Sequence, residues 1–217
     1  MLPGVLVFAG KDRVQAAEKA KAAGAEILLL DDGMQHRRLR RDVEIVSMHK
    51  DNLFGYDAFL PLGLLRDDPR RLKRATLIAL QGVETEVEYA AAMAQLRPLT
   101  EAPIVAFKTQ VENPHLFAKK KVAAFCALAK PERFFQTLNR IKAHVVLTET
   151  LPDHAPFTRR HLEKINQTAL KLGAELLVCT EKDGVKLSKE LKTTLPIEML
   201  KIRLQPTFGE EALRRYL

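Results

Sequence analysis

The chain has 217 residues, of which 47% are hydrophobic and 29% charged, and this composition excludes a disordered or low-complexity protein. The net charge is +8, but only 6% of the residues are aromatic and no base-stacking or groove-reading motif is found, which argues against a nucleic-acid-binding protein. Cys126 and Cys179 lie in separate apolar stretches and are predicted to be buried thiols, which suits a reducing cytosol. No apolar run reaches the ~18 residues that span a bilayer, and the first residues lack the pattern of a signal peptide.

Strand and helix patterns alternate along the first half of the chain. Helices are predicted at 11–23, closed by Gly24, and at 84–96, ending before Pro98. Apolar runs predict strands, with that at 26–30 read as a buried parallel strand; these strands lie at 5–8, 26–30, 43–48, 75–80 and 103–111. The segment 50–69 is predicted to be an ordered functional loop, because about 20 structureless residues are uncommon in a compact domain.

The second half repeats the alternation. Strands are predicted at 121–126, 144–147, 175–179 and 198–204, and helices from Pro131, at 158–172 and from Lys182. The strand at 198–204 is expected to pair with the one at 103–111. This order predicts an α/β protein with a mostly parallel sheet, a first domain at 1–112, and a smaller α/β domain at 113–217 whose last strand returns to the linker.

The run Ile27–Leu30 is followed by Asp31, Asp32, Gly33, Met34, Gln35 and His36. Carboxylates at the carboxyl end of a parallel strand lie at the ligand-binding edge of a sheet, where they hold Mg²⁺ beside a nucleotide phosphate. We therefore predict Asp31 and Asp32 as metal ligands or a proton acceptor, and Gln35 and His36 as groups for phosphate or a substrate hydroxyl. The structural alternative is a simple Asx turn or helix cap.

Three further segments are candidates for the site. The loop around Gly63 ends on Arg66, which would bind a phosphate while neighbouring apolar residues meet acyl chains; the alternative is an ion pair of Arg66 with Asp67 or Asp68. Asp153 and His154 lie in a proline-bounded loop, either at a cleft or in a plain helix-entry turn. Thr180 and Asp183 suit an anion site or a capping pattern.

No phosphate-binding P-loop is present. The closest segment runs from Gly4 to Gly10, Lys11 and Asp12. Its spacing is one residue too long, and Asp12 stands where the motif needs Ser or Thr to reach Mg²⁺.

In order along the chain, these segments resemble motifs of the tetraacyldisaccharide 4′-kinase family. The family's DDGFQH, followed by RxLxRD, resembles DDGMQHRRLRRD at 31–42, and its LLPAGPLREP resembles FLPLGLLRDDP at 59–69. Its AFAGIGNPERFF, FPDHHPFT and TTEKDAVKL resemble residues 124–135, 151–158 and 179–187. The chain departs from the family pattern at Ala155, at Leu64 and at residues 127–129, where alanine and leucine replace histidine, proline and glycine.

The resemblance implies a P-loop-NTPase-like core, here partial, with a smaller α/β domain. It implies ATP-dependent phosphorylation of tetraacyldisaccharide 1-phosphate at its 4′-hydroxyl, with Asp31 and Asp32 near Mg²⁺ and His154 supporting the catalytic carboxylate. We expect a cytoplasmic protein, peripheral at the anionic inner face of the membrane, whose P-loop part lies in a missing N-terminal segment or a partner chain. The alternative is an inactive fragment that binds a partner or a lipid phosphate.

Overall fold

The structure is a computed structural model that describes residues 4–153, 155–187 and 193–215. The chain forms two compact units, Met1–Lys108 with Gln205–Leu217 and Thr109–Leu204. The helices and strands, in chain order, are α1 (Arg13–Ala22), β1 (Ile45–His49), β2 (Leu77–Gln81), α2 (Glu86–Leu96), β3 (Ile104–Val111), β4 (Lys121–Cys126), α3 (Pro131–Arg140), β5 (His144–Thr150), α4 (Arg159–Lys171), β6 (Leu176–Thr180), α5 (Glu181–Gly184), β7 (Ile197–Leu200) and β8 (Ile202–Phe208).

The first sheet has the strand order β1-β2-β3-β8. Strands β1, β2 and β3 are parallel to one another. Strand β8 runs antiparallel to β3, because Arg203 bonds to Gln110 near one end while Gly209 approaches the Ile104 carbonyl near the other. The apolar core of this unit includes the fully buried Ile78, Leu80 and Leu96.

The second sheet is parallel throughout and has the order β5-β4-β6-β7. Successive side chains of β4 point to opposite faces of the sheet, so Phe125 belongs to one core cluster and Cys126 to another. Helix α4 packs its apolar stripe on the first face and α3 on the second. The strand order reverses between β4 and β6, and the carboxyl ends of two such strands are the usual ligand edge of an open α/β sheet.

Local signals explain the helix boundaries. Asp12 caps α1 by accepting the Val14 backbone N–H at 2.9 Å, and Gly24 adopts a positive φ just after the helix. Thr85 caps α2, in a capping box completed by Glu88. No helix in the described ranges combines the length and the apolar character that a bilayer crossing needs.

Two predicted strands are wrong. Residues 5–8 and 26–30 form no strand, and Val7, Ile27 and Leu29 are 85%, 80% and 90% exposed. No neighbouring strand in the described residues offers these segments ladder hydrogen bonds, so their apolar composition alone does not make them β structure. The Asp31 and Asp32 carboxylates therefore follow an exposed irregular segment rather than a buried strand.

The predicted strand at 198–204 is in fact two strands. Its first part, within β7, pairs with β6, and its last part, within β8, joins β3 as expected. The break falls at Lys201, where Asn113 bridges the chain by accepting the Lys201 N–H at 3.0 Å and donating to the Met199 carbonyl at 2.9 Å. The parallel β4-β5-β6 layer is as predicted.

Candidate active site

Residues 31–36, here called the Asp31 turn, form a tight reversal after the irregular segment 26–30. The His36 N–H donates to the Gly33 carbonyl at 2.9 Å, and Asp32 adopts a left-handed φ of 52°. A Cβ at Gly33 would lie 2.8 Å from the end of the Leu30 side chain, so a larger residue at this position would require that side chain to shift. The turn exposes Asp31, Asp32 and Gln35 to solvent and half-buries His36.

Arg66 connects the Asp31 turn to a segment 34 residues further along the chain. Its Nη1 donates to both carboxylate oxygens of Asp32, at 2.7 and 2.9 Å, and its Nη2 donates to Gln35 Oε1 at 3.4 Å. About half of each charged side chain remains exposed, 51% for Arg66 and 59% for Asp32. The structure thus brings together three of the predicted site residues.

Asp31 stands apart from this ion pair. No hydrogen bond or ion pair joins its carboxylate to another residue in the described part of the chain. The alternative for Arg66, a pair with Asp67 or Asp68, is not what the structure shows, because Asp67 pairs with Arg71 and Asp68 with Arg70. The Arg70 guanidinium and the Arg70 backbone N–H lower the pKa of Asp68 to about 2.

Arg66 directly follows a closed loop, residues 55–65, here called the apolar loop. Its backbone is held by bonds from Leu64 N–H to the Gly55 carbonyl at 2.8 Å and from Leu65 N–H to the Ala58 carbonyl at 3.0 Å. Gly63 is buried inside the loop, where a Cβ would lie 2.2 Å from the Ala58 carbonyl oxygen. The predicted ordered loop is therefore present, and it fixes the chain position from which Arg66 reaches Asp32.

Two stretches of the first unit, residues 37–41 and 66–74, are rich in arginine, and several of these arginines form structural ion pairs and hydrogen bonds. Arg41 donates to the His36 and Leu39 carbonyls and pairs with Glu44 at 3.2 Å, so it secures the chain just after the Asp31 turn. Arg74 pairs with the same Glu44 carboxylate at 3.3 Å. Arg37, Arg40 and Lys73 are more exposed, and none of them forms an ion pair with another residue in the described ranges.

A shallow cleft of about 240 Å³ lies beside the Asp31 turn, at the start of α1. It is lined by Lys11, Asp12, Arg13, Val14, His36 and Arg38. Three of these side chains, Lys11, Arg13 and Arg38, are positively charged, and the His36 imidazole is positively charged when it is protonated. His36 therefore faces surroundings suited to an anion, in keeping with its predicted phosphate-binding role, which stays a prediction.

In the second unit, Asp153 accepts a hydrogen bond from Lys182 Nζ at 3.1 Å. His154 lies outside the described residues, so its predicted catalytic role stays a prediction. Residues 127–129 contain no positive φ and offer no glycine-like anion nest.

Sequence reasoning missed the burial of Asp183. Residues 180–183, here called the Thr180 turn, follow β6, and Asp183 is 0% exposed. Its Oδ2 accepts from Thr180 Oγ1 at 2.7 Å and from the Ala127 N–H, the first residue after β4, at 3.2 Å. Its Oδ1 has no partner in the part of the chain that the structure describes. The sequence showed the capping pattern of Thr180 and Asp183. It did not show that the end of β4 covers Asp183 and buries it.

Two buried thiols lie near this carboxylate. Burial, and secondarily the negative charge of Asp183, raises the pKa of Cys126 to about 11 and that of Cys179 to about 12. Both cysteines are free and buried, as predicted from the sequence. At neutral pH they are uncharged and add apolar volume to the core.

Over residues 1–217 the chain matches the model of a protein family described as tetraacyldisaccharide-1-P 4′-kinase. Similar curated proteins carry the name tetraacyldisaccharide 4′-kinase. That of Syntrophus aciditrophicus is 33% identical, covering 94% of this chain and 60% of the relative. That of Chlamydia abortus is 36% identical (95% and 58%), and that of Chlamydia pneumoniae 37% (94% and 58%). The chain thus spans about three fifths of the length of these relatives.

Proposed function

Because the chain belongs to the tetraacyldisaccharide 4′-kinase family, we propose that it transfers the γ-phosphoryl group of ATP to the 4′-hydroxyl of a tetraacyldisaccharide 1-phosphate, a lipid A precursor, giving lipid IVA. The observation that carries the proposal is the ion pair of Arg66 with Asp32, in which Nη1 of Arg66 contacts both carboxylate oxygens. It joins, in one exposed site, the two segments of the first unit that most resemble the family's motifs.

In this mechanism the 4′-oxygen attacks the γ-phosphorus, the bond to the bridging oxygen of ADP breaks, and the hydroxyl proton moves to a carboxylate. Asp31 is the better acceptor, because Arg66 already occupies both oxygens of Asp32. Arg66 holds Asp32 in place and offers its remaining exposed edge to a phosphate oxygen. Gln35 and His36 orient phosphate or substrate hydroxyls beside the turn, and the roles that the family resemblance implies for Asp153 and His154 stay predictions.

The Asp31 turn suits Mg²⁺. This ion takes oxygen ligands and is commonly held by one or two carboxylates together with substrate phosphates, not by a cage made only of protein groups. Two adjacent exposed carboxylates meet that need, while no cluster of three or more His, Cys, Asp or Glu side chains is found among the described residues. Asp32 would hold the ion through oxygen lone pairs that Arg66 leaves free, Asp31 would lie near it through a bound water, and the ion would neutralise charge on the phosphate oxygens.

We further propose that the protein works in the cytoplasm at the anionic inner face of the membrane, where such a lipid resides. A further segment or a partner chain would complete the ATP site. The support for this partner is the exposure of the strand-like apolar segments at 5–8 and 26–30. An inactive fragment, the alternative, finds no support in the relatives described above, which are named as kinases.

A phosphoryl-transfer assay tests the proposal, with γ-labelled ATP, Mg²⁺ and tetraacyldisaccharide 1-phosphate in detergent micelles. Label should appear on the disaccharide. Asp32→Asn and Arg66→Lys should each lower kcat by about 100-fold or more, because they remove charge or the planar fork at the reacting phosphate. Calorimetry with ATP should show weak binding by the chain alone and tighter binding once the completing partner is present.

The matched control is the ion pair of Arg159 with Glu163 on α4, at 2.7 Å and with both side chains exposed. Glu163→Gln and Arg159→Lys make the same chemical changes away from the turn and should leave transfer unchanged. The proposed function is wrong if the Asp32 and Glu163 variants lose activity equally. It is also wrong if no labelled product forms with the chain alone or with the completing partner added.

A further inference from the structure

The apolar loop turns large hydrophobic side chains towards solvent. The exposed fractions are 90% for Leu62, 68% for Tyr56, 58% for Leu60, 54% for Phe59 and 49% for Leu64. Single exposed hydrophobic residues are ordinary, but several in one short loop mark an interaction surface.

The loop cannot easily fold these side chains inward. Its backbone closes on itself through the bonds from Leu64 to Gly55 and from Leu65 to Ala58, and Gly63 fills the interior so tightly that even a Cβ is excluded. A further bond runs from the Leu60 N–H to the Leu65 carbonyl at 3.1 Å. A backbone satisfied in this way can approach lipid at lower cost than an open loop, whose free polar groups would be desolvated.

Basic side chains flank the apolar loop. The segment just after it, Pro69–Arg74, is a 3₁₀ helix that carries the exposed Lys73 and also Arg70, which pairs with Asp68 at 2.6 Å but keeps an 83% exposed side chain. Between residues 37 and 74 there are ten basic and six acidic side chains. The exposed apolar loop beside exposed cations complements an anionic bilayer. Such a bilayer attracts cations at its surface and accepts apolar side chains just below it.

The position of the loop relative to the candidate site adds a reason for such contact. Arg66 follows Leu65 directly and bonds to Asp32, so the apolar side chains belong to the same local structure as the Asp31 turn. A lipid substrate would keep its acyl chains in the bilayer while its sugar hydroxyl reaches the carboxylates.

We propose that the apolar loop inserts into the interfacial region of an anionic bilayer, with Arg70 and Lys73 contacting lipid headgroups. This inference rests on the proposed function for its biological meaning, since a kinase of an acylated disaccharide has to meet its substrate at a membrane surface. The interaction itself requires neither ATP nor the disaccharide.

Co-sedimentation with vesicles, without ATP or disaccharide, tests the inference. Wild-type protein should bind vesicles of equal parts phosphatidylglycerol and phosphatidylcholine, and should bind phosphatidylcholine vesicles much more weakly. Leu62→Glu should weaken binding to the anionic vesicles by about tenfold or more, since it removes a full leucine from the apolar tip. Arg70→Gln should weaken it by about fivefold, and added salt should reduce that difference.

The chain offers matched controls for both changes. Leu29 is 90% exposed, as Leu62 is, and Arg159 has an 83% exposed side chain, as Arg70 has. Leu29→Glu and Arg159→Gln should bind the anionic vesicles like the wild type. Because all four side chains are exposed, circular dichroism should show unchanged folding.

Equal loss for Leu62→Glu and Leu29→Glu, equal binding to both kinds of vesicle, or unchanged binding by Leu62→Glu would overturn the inference. If Leu62→Glu instead separates a dimer in sedimentation velocity without changing vesicle binding, a second copy of the chain covers the loop, and the inference is also wrong. The micelle kinase assay with wild-type protein reports separately on the proposed function, because it contains no vesicles.

Discussion

The Asp31 turn and the Thr180 turn follow apolar runs of similar composition, but the two runs adopt different structures. Ile27–Leu30 is irregular and mostly exposed, while Leu176–Cys179 is the buried core of β6. The acids differ in the same way. Asp32 is exposed and held by one arginine, whereas Asp183 is fully buried and held by a hydroxyl and a backbone N–H.

The difference shows what turns an apolar run into a strand. Strand β6 has parallel neighbours on both sides, β4 and β7, which satisfy its backbone groups and cover its side chains. Residues 26–30 have no such neighbour among the described residues. One turn is therefore part of a packed core, and the other is a surface feature free to meet ligands.

The largest expected effect concerns the buried carboxylate. Asp183→Ala should lower the free energy of unfolding of the second unit by about 2–4 kcal/mol, because it leaves the buried Ala127 N–H and the Thr180 hydroxyl without their acceptor. Asp32→Ala should change that of the first unit by less than about 1 kcal/mol, since an exposed ion pair contributes little. Hydrogen exchange of the β4 and β6 amides, and of the β2 and β3 amides, measures the two units separately. A larger loss for Asp32→Ala would contradict the comparison.

The next effect concerns the loop that carries Arg66. Gly63→Ala places a Cβ against the Ala58 carbonyl and should destabilise the first unit by about 1–3 kcal/mol. Urea unfolding followed by intrinsic tyrosine fluorescence measures the change. Gly10→Ala is the control, because its Cβ would meet nothing closer than 3.9 Å. Equal stability of the two variants would show that the apolar loop is not a closed unit.

The raised pKa values of the two thiols beside the Thr180 turn predict that the stability of the second unit depends on pH. Folding raises the pKa of Cys126 and Cys179 from about 9 to about 11 and about 12, so between pH 9 and pH 11 the unfolded state has lost protons that the folded state keeps. This contribution to stability is complete below pH 9 and is lost as the pH rises through the folded values.

The urea concentration at the unfolding midpoint of the second unit should therefore decrease as the pH rises from 9 to 11. Cys126→Ala with Cys179→Ala should reduce the pH dependence, although it also costs core volume. Iodoacetamide should modify both thiols slowly in the folded protein and rapidly in urea. Rapid modification of the folded protein at pH 8 would contradict the burial of these residues.

The smallest expected effect is a change in the stability of the first unit at low pH. The pKa of Glu88 is lowered to about 2 by Lys50 and by the N–H groups of Glu84 and Thr85. This group stabilises the folded state above about pH 4.5, and the contribution is lost as the pH falls towards 2. Glu88→Gln should slightly weaken the dependence of the melting temperature on pH below about pH 4.5. An unchanged profile would show that the capping box contributes no pH dependence.

Much of the fold followed from local signals. Gly24 after α1, Pro131 at the start of α3 and Gly173 after α4 mark helix ends through backbone chemistry that involves only nearby residues. The strands β4, β5 and β6 were also predictable, because each lies between helices in a repeated βα pattern. Asp31, Asp32 and Arg66 were candidates from the sequence, but the buried strand from which the two acids were argued is not present in the structure.

Local sequence therefore determined the helices, their caps, the alternating α/β order and the chemical character of both acidic turns. Tertiary structure decided which apolar runs became strands, which acid was buried and which arginine reached Asp32. The physical reason is that strands, buried carboxylates and ion pairs between distant segments need partners from elsewhere in the chain, such as β4 for β6, Ala127 for Asp183 and Arg66 for Asp32. A helix satisfies its backbone within its own residues.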